Sequence, residues 1–557
     1  MLLPHNMLDW VPEGHAVRVV IGTVESVMTA GLAARLVPPA PKGSAAPKGS
    51  AAGPARYDPV MLLTVWMYAY LRGVLSTRAV EDRCRYDATF RVACGRGIPD
   101  HTTFSRFRKY LFAQEGLAED LFCQVLRVCA CAGLGRLSVV AGDGVKIAAS
   151  ASKEAGRTEA GLRKLAAQVI AGARKAAADE DAERDALPGA DLLLGAEAAP
   201  GPDPRSRAGR VRACLDSLRG EREAAEAQAR EQGKAYLQAL AAGTVNGRPP
   251  AAVALAAAQL RLEEAVAAEA AVLAGWQARK AAGQRVTRPP ARPGAGKKAR
   301  RARARLEALQ AAAAAEAGRA GDPGNRKKAP QRNVTDPDSR LLPVRGGGFT
   351  QGYNCQDAAA DDRLMLGGYA CQDTGDAKQA QRLAAVAAKG AAVVAAGHAA
   401  HAGDPATAER CHARLCALPE KDKHGPGHDP AACHAAMTSG IGVFVADAGY
   451  HSQANLEAPG PDRLFADAKT RDLARREPAG GPPPAGATAV EANAHRLATP
   501  EGRALYKRRA PDVEGLHASL KDDGGLRRFS LRGLHNATSE FLFAGLAHNL
   551  RLLAAIS

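Results

Sequence analysis

Aromatic residues are scarce in this sequence: they make up 4% of 557 residues, whereas hydrophobic residues as a whole make up 46%. Much of the hydrophobic content is alanine, which favours long helices over an aromatic-rich β core. The 11 cysteines are scattered and lack the paired spacing of a small disulfide-stabilised domain. The composition therefore predicts a helix-rich protein of a reducing compartment.

The sequence also lacks a long uninterrupted apolar run. Lys389 and His398 interrupt the longest alanine-rich stretch. The first ten residues have neither the basic nor the apolar part of a secretion signal. We therefore expect a soluble, cytoplasmic protein without a membrane partner.

Acidic residues are outnumbered: 58 Asp and Glu stand against 75 Lys and Arg, which gives a formal net charge of +17. Such an excess is typical of proteins that bind a polyanion, most often nucleic acid and less often a membrane surface. A soluble basic protein without any such partner would have the same charge. The charge therefore favours nucleic acid without deciding the matter.

Two short apolar stretches each end in an aspartate. Residues 137–142 precede Asp143, and residues 441–446 precede Asp447. Both are rich in β-branched residues without a helical period, which predicts buried strands. Because ligands of open α/β sheets gather at the carboxyl ends of strands, we expect the two acids to meet at one edge of a sheet.

A third candidate acid is Glu514, in a segment whose Pro511 suits the first turn of a helix. Glu514, His517 and Lys521 are spaced i, i+3 and i+7, which predicts that one helix face presents the acid and the lysine together. Three carboxylates from separate elements suit a hard, oxygen-seeking ion such as Mg²⁺. The predicted metal site is Asp143, Asp447 and Glu514.

The N-terminal part of the chain has a helical apolar pattern over residues 56–131. A turn near residues 95–101 leads into a helix that carries Arg106, Arg108 and Lys109. This order is compatible with a helix-turn-helix that contacts DNA. A helical bundle with a solvated basic face would show the same pattern.

Residues 152–329 are rich in alanine, arginine and glutamate. A 7-4-7-3 spacing of apolar residues predicts a long helix or coiled coil; its members are Leu255, Leu262, Val266, Leu273 and Trp276. Residues 297–305 hold six cations and no acid. A solvated face is the usual meaning of such a run, but we interpret the region as an insertion that also touches DNA phosphates.

Other residues compete for functional roles. Asp373 and Asp376 compete with Asp447 for the middle place in the site, but Asp376 stands three residues before a glutamine, which predicts a helix cap. Asp336 and Asp338 are most simply turn residues. Cysteines and histidines between residues 411 and 434 could hold zinc, but their spacing departs from that of paired zinc ligands and favours a loop.

Several stretches, taken in order, resemble bacterial insertion-sequence transposases of the DDE type. They are residues 56–59, 101–108, 142–150, 336–340, 352–354, 446–450, 506–521, 532–534 and 548–551. Together they span most of the chain outside the insertion and the linkers. The family spacing Tyr-(2)-Arg-(3)-Glu-(6)-Lys is matched from Tyr506 to Arg509 and from Glu514 to Lys521, but four residues separate Arg509 from Glu514.

The resemblance implies an RNase H-like mixed sheet flanked by helices, with an N-terminal all-helical domain and a long helical insertion after the first strand. It places Asp143 on the first strand, Asp447 on the fourth and Glu514 on a following helix. Two Mg²⁺ ions, with Mn²⁺ as a substitute, would support strand cleavage at the element ends and transfer to target DNA. Tyr506, Arg509 and Lys521 would contact DNA.

The implied partners are the terminal inverted repeats and target DNA, bound by a homodimer, with no small-molecule substrate. Two alternatives remain open: a transposase relic that binds DNA without cutting it, and a nuclease without strand transfer. The predicted boundaries are a lead-in (1–37), a linker (38–55), a helical DNA-binding domain (56–131), the first catalytic strand (132–151), the insertion (152–329), the catalytic sheet (330–475), a Pro/Gly linker (476–495) and C-terminal catalytic helices (496–557).

Overall fold

The computed structural model of this protein describes residues 6–37, 57–95, 97–169, 171, 206–245, 247–286, 288–320, 330–344, 346–401, 440–469, 472–473 and 475–557. The chain divides into two compact units. The first unit consists of Met1–Ala155 and Asp338–Ser557, and the second consists of Gly156–Pro337. The N-terminal helices and the main sheet therefore belong to the same unit.

Seven described α-helices precede the first strand. They are α1 (Ala16–Val27), α2 (Ala30–Leu36), α3 (Pro59–Leu71), α4 (Thr77–Tyr86), α5 (Ala88–Cys94), α6 (His101–Ala113) and α7 (Leu117–Cys131). Helix α3 is apolar on all sides and is buried from Leu62 to Leu71, as expected of a helix at the centre of a core. Asp58 caps it by accepting a hydrogen bond from the Val60 amide.

Strand β1 (Val139–Ala148) follows and ends the N-terminal part of the first unit. The second unit begins with β2 (Gly156–Thr158), which pairs antiparallel with β3 (Gln331–Asn333). Between them lie the long helices α8 (Arg207–Ala241), α9 (Ala251–Ala281) and α10 (Lys297–Ala320). The five apolar residues with 7-4-7-3 spacing all lie on α9 and are partly buried, as residues of a packed helix face must be.

The chain then returns to the first unit. Its remaining strands are β4 (Arg340–Pro343), β5 (Phe349–Ala360), β6 (Met365–Cys371), β7 (Val443–Ala446) and β8 (Asp462–Phe465). Its remaining helices with defined bounds are α11 (Ala380–His401), α12 (Gln453–Glu457), α13 (Ala489–Ala498), α14 (Pro500–Lys507), α15 (Arg509–Ala518) and α16 (Leu534–Ile556). A π-helical turn, Ser519–Asp523, follows α15 directly.

The six strands of the first unit form one mixed sheet. Five of them follow the order β4-β5-β1-β7-β8, and β6 pairs with the part of β5 that β4 does not reach. Strand β5 runs antiparallel to β1, β4 and β6, whereas β1, β7 and β8 run parallel to one another. The predicted α/β class with a mixed sheet flanked by helices is confirmed. Strands β5 and β6 are buried along almost their whole length.

Helices of the N-terminal segment and the C-terminal α16 share one core with this sheet. Helix α16 packs against α3, α7 and β6. The Tyr70 hydroxyl donates a hydrogen bond to the buried Glu540 carboxylate over 2.9 Å. A contact across 470 residues of sequence ties the two ends of the chain together.

Among the described residues, one helix segment, Ala380–Ala400, is long and apolar enough by composition to cross a membrane. It belongs to α11, which packs against α7, β5 and β6. Leu383, Ala387 and Val394 on this helix are fully buried. Its apolar character is therefore accounted for by its place in the core.

Candidate active site

Two aspartates lie side by side at one end of the main sheet. The parallel register of β1 and β7 pairs Gly142 with Ala446, so Asp143 and Asp447 come next on the two neighbouring strands. One guanidinium reaches both: Arg509 Nη2 lies 2.7 Å from Asp143 Oδ2 and 4.0 Å from Asp447 Oδ2. The structure thus brings together two of the three predicted acids.

Each of these carboxylates is held by its own backbone. Asp143 Oδ1 accepts a hydrogen bond from the Gly144 amide, and Asp447 Oδ1 accepts one from the Gly449 amide, both over 2.8 Å. The other oxygen of each carboxylate faces Arg509. The backbone therefore orients both acids toward a common point between the strands.

The two aspartates stand in an environment that disfavours their negative charge. Burial raises the pKa of Asp143, against the lowering effect of the nearby Arg509 guanidinium. Burial also raises the pKa of Asp447, and the charge of Asp143 raises it further. Two neighbouring carboxylates with raised pKa values are stabilised by a cation placed between them. Arg509 provides that cation within the described chain.

Arg509 begins α15, and its side chain is only 11% exposed. Tyr506, near the end of α14, lies beside this guanidinium, which lowers the pKa of a phenol that burial otherwise raises. The predicted residues Tyr506 and Arg509 are therefore neighbours of the aspartate pair. Their order in sequence places both at the junction of α14 and α15.

A further acid, Asp376, lies next to the aspartate pair. Its Oδ1 accepts hydrogen bonds from the side-chain amides of Asn354, over 2.9 Å, and Gln356, over 2.7 Å. The predicted helix cap is wrong, because α11 begins only at Ala380 and the Asp376 carboxylate accepts hydrogen bonds from β5 side chains instead. The sequence pattern is misleading here because the glutamine three residues later turns toward Tyr369 and Asp373.

The position of Asp376 explains why glycine follows Asp143. A Cβ placed on Gly144 would lie 2.6 Å from Asp376 Oδ1 and 2.5 Å from Gln356 Nε2. Any other residue would force these side chains away from the strand. A Cβ placed on Gly449 would meet both Asp447 Oδ1, at 2.9 Å, and Asp376 Oδ2, at 3.4 Å. Asp376 therefore borders the residues that follow both aspartates.

A buried acid–histidine pair lies on the other side of Asp143. The antiparallel register of β1 and β5 pairs Asp143 with Asp357, which is fully buried. Asp357 Oδ2 lies 2.8 Å from His517 Nε2 on α15. Burial alone would lower the pKa of His517, but the Asp357 carboxylate raises it above its ordinary value. Sequence reasoning missed this pair; an acid within an otherwise buried strand was the available signal.

Glu514, the third predicted acid, is exposed on α15. None of the hydrogen bonds or ion pairs found among the described residues joins it to Asp143 or Asp447. The sequence placed Lys521 on the same helix as Glu514 and His517, but α15 ends at Ala518 and Lys521 lies in the π-helical turn that follows. Burial, together with the neighbouring Arg527, lowers the pKa of Lys521.

The three predicted DNA contacts on α6 separate into two groups. Arg106 and Lys109 are exposed. Arg108 instead donates a hydrogen bond from Nη1 to the Leu75 carbonyl over 2.7 Å, and its guanidinium lies 4.7 Å from the centre of the Trp66 ring. Arg108 therefore has partners inside the fold, whereas the other two cations face solvent.

Within the described ranges, no group of three or more His, Cys, Asp or Glu side chains is close enough to hold a metal ion. Asp143 and Asp447 provide two carboxylates, and Asp376 is a third carboxylate beside them, whereas the predicted Glu514 is exposed on α15. The cysteine- and histidine-rich stretch 411–434 lies outside the described residues.

Two family matches bracket the chain. Residues 5–110 match a transposase domain, and residues 484–554 match a transposase DDE domain. The second match includes Tyr506, Arg509 and Glu514. No curated protein and no solved structure matches the chain. The two matches confirm the resemblance to insertion-sequence transposases of the DDE type.

Proposed function

We propose that this protein is a DDE-type insertion-sequence transposase that binds the ends of its element, cuts one strand at each end and joins the freed end to target DNA. The observation that carries the proposal is the pairing of Asp143 and Asp447 on parallel neighbouring strands, bridged by Arg509. Arg509 and Tyr506, which lie beside the pair, come from the C-terminal segment that matches a transposase DDE domain. The site and the family match thus support the same chemistry.

The sheet supports an RNase H-like fold for this catalytic unit. Leaving β4 aside, the strand order is β6-β5-β1-β7-β8, with three antiparallel strands followed by two parallel ones. In chain order these five strands are β1, β5, β6, β7 and β8, so Asp143 lies on the first and Asp447 directly follows the fourth. This is the placement that the family resemblance implies.

The donor set fits a hard divalent cation. Asp143 and Asp447 offer only oxygen ligands, which Mg²⁺ prefers and Mn²⁺ also accepts. Burial raises the pKa of both acids, so a cation would relieve an existing electrostatic penalty. Asp143, Asp447 and Glu514 would hold the metal, which we propose as two ions. Bound there, the ions would activate the attacking oxygen and stabilise the leaving oxygen at phosphate.

The reaction itself exchanges one phosphorus–oxygen bond for another. In cleavage, the oxygen of water bonds to phosphorus, the bridging 3′-oxygen leaves, and it takes up a proton to become a hydroxyl. In transfer, that 3′-hydroxyl loses its proton and bonds to a target phosphorus, whose own bridging oxygen leaves. Asp143 and Asp447 are fixed by the amides of Gly144 and Gly449, so neither needs to reorganise during the displacement.

The remaining proposed contacts bind DNA rather than react with it. Arg509, Tyr506 and Lys521 would lie against the phosphates near the cut, as charge or hydrogen-bond donors. Arg106 and Lys109 would contact the backbone from α6, and the internal contacts of Arg108 leave it out of this set. Two element ends require two active sites, which favours a homodimer acting in the cytoplasm.

The test uses the full-length protein and a duplex carrying the DNA that flanks its gene. We expect wild type to nick this duplex when Mg²⁺ or Mn²⁺ is added. Asp143→Asn, Asp447→Asn and Glu514→Gln should each lower nicking by two or more orders of magnitude at equal DNA occupancy, because each removes a metal-facing charge. Binding of the duplex should persist in all three variants, since cations supply the phosphate contacts.

Glu501→Gln is the matched control, because Glu501 is an exposed acid on the neighbouring helix α14. It should nick as wild type does. Normal nicking by Glu514→Gln would remove Glu514 from the site and leave the two aspartates. Binding without nicking by wild type would identify a DNA-binding relic, and nicking without joining would identify a nuclease.

A further inference from the structure

The second unit contains a groove lined by cations. Parts of α8, α9 and α10 enclose a space of about 820 Å³, together with the turn between α8 and α9. The basic side chains that line it are Arg248, Arg261, Lys298, Arg301 and Arg305. Glu264 is the one acid among its lining residues. We refer to this space as the cationic groove.

Three of these cations repeat along one face of α10. Lys298, Arg301 and Arg305 are spaced i, i+3 and i+7 and all are exposed. Seven residues of α-helix span about 10 Å. Duplex DNA advances about 3.4 Å per nucleotide along each strand, so the same length covers about three phosphates. The spacing of the cations therefore suits a nucleic-acid backbone.

Within the part of the second unit that the structure describes, the groove cations form no ion pairs, whereas other cations of the unit do. Arg230 pairs with Glu263 and Lys234 pairs with Glu231. Among the ion pairs formed by the described residues, none involves any of the five cations of the cationic groove. Like charges at i, i+3 and i, i+4 repel one another on a helix. A bound polyanion would relieve that repulsion.

We propose that the cationic groove binds the phosphate backbone of DNA without reading its sequence, as a holding site separate from the aspartate pair. The proposal rests on the proposed function, because transposition supplies DNA as the polyanion. An acidic protein segment would meet the same charges, and the poly-glutamate measurement below distinguishes it from DNA. Leu237 and Leu309, which also line the groove, are half-buried, whereas Lys298, Arg301 and Arg305 are exposed to solvent.

The test measures binding of a random-sequence duplex by the full chain at several salt concentrations. Arg301→Gln/Arg305→Gln removes two charges from exposed helical positions and replaces them with a good helix former. Each lost phosphate contact lowers the slope of log K against log salt by about 0.9. We therefore expect the slope to fall by about 1.8 and the affinity at 0.1 M salt to fall at least about tenfold.

Two matched variants control this experiment. Lys297→Gln/Arg300→Gln removes the same charge from exposed positions on α10 that do not line the groove, so its slope should change much less. Arg301→Lys/Arg305→Lys keeps the charge and should restore binding. Equal losses in the two Gln variants, or an unchanged slope in the groove variant, would overturn the proposal.

Two further measurements separate this proposal from its alternatives. Nicking of the end duplex reports on the aspartate site. If the wild type does not nick the duplex but the groove variant still has the lower salt slope, only the proposed catalysis is contradicted. Poly-glutamate serves as the second probe. If the groove variant loses poly-glutamate binding but keeps DNA binding, the groove binds an acidic protein segment and the proposal is wrong.

Discussion

Asp357 is a fully buried carboxylate next to Asp143, and His517 is the partner that compensates its charge. The raised pKa of His517 means that the imidazolium form is favoured in the fold. A buried acid whose partner is removed keeps the desolvation penalty without the attraction. The pair therefore stabilises the contact between α15 and β5 only as a unit.

At this scale we predict that His517→Ala lowers the free energy of unfolding by about 3–5 kcal/mol, because Asp357 stays buried and unpaired. Asp357→Val/His517→Phe replaces the pair with apolar side chains and should recover most of that loss. Denaturant titration of the three proteins measures the effect. A double variant no more stable than His517→Ala would show that the pair is not compensatory.

The same pair predicts the direction of a pH effect. Because the pKa of His517 is higher in the folded protein than in the unfolded chain, its contribution is full below the ordinary histidine value of about 6.5. It is lost as pH rises through the raised folded value. Wild type should therefore lose more stability than the Val/Phe variant over that range.

Sequence reasoning found the acids that follow apolar runs, although β1 continues past Asp143 to Ala148, but it did not find the residues that meet across strands. Asp143 and Asp447 each end an apolar run, so their neighbourhood follows from local pattern alone. Asp357 and Asp376 reach the site through an antiparallel register and a loop more than 200 residues after β1. Nothing in the local sequence specifies such a register.

At the scale of elements, helix α6 has an inner and an outer basic face. Arg108 packs on Trp66 and bonds to the Leu75 carbonyl, whereas Arg106 and Lys109 are exposed. The sequence predicted the helix and its charges. It could not separate the two faces, because an arginine both covers apolar surface and presents a charge.

This division predicts opposite outcomes for two changes on α6. Arg106→Ala/Lys109→Ala should weaken duplex binding and lower the salt slope by about 1.8, with little change in thermal stability. Arg108→Ala should lower stability by roughly 1–3 kcal/mol through lost packing and a lost hydrogen bond. Gel-shift titrations at two salt concentrations and thermal melts distinguish them. If the affinity of the wild type for the duplex does not depend on salt, Arg106 and Lys109 form only a solvated face of α6.

Helix α15 ends where the sequence predicted that it would continue. Helix α15 passes into the π-helical turn Ser519–Asp523, which adds residues to each turn. Helix α15 therefore ends three residues before Lys521, which the sequence placed on the same helix as Glu514.

The whole molecule consists of two units rather than a string of sequential domains. The first unit joins Met1–Ala155 to Asp338–Ser557, and the second is Gly156–Pro337. The sequence predicted an insertion over residues 152–329 from its alanine content and helical period. It also predicted a separate N-terminal DNA-binding domain, whereas α3 and α7 share the core of the sheet unit through α16.

We predict that limited proteolysis of the native protein cuts near Pro200–Pro204 and near Pro289–Pro290, the latter between α9 and α10. The fragments should remain associated, because each unit has its own hydrophobic contacts. Mass spectrometry of the digest and size-exclusion chromatography of the products provide the measurement. Resistance at both sites would indicate that the second unit is enclosed by the first.

The short ribbon of β2 and β3 gives the second unit a narrow stem. Gly156 pairs with Asn333, so about 180 residues leave and return through points only about 5 Å apart. Such a stem suits protein engineering. A domain whose own termini are adjacent can replace the helices there without stretching the surrounding chain. Exchange of those helices would leave the strands that precede and carry the two aspartates, β7 and β1, unchanged in sequence.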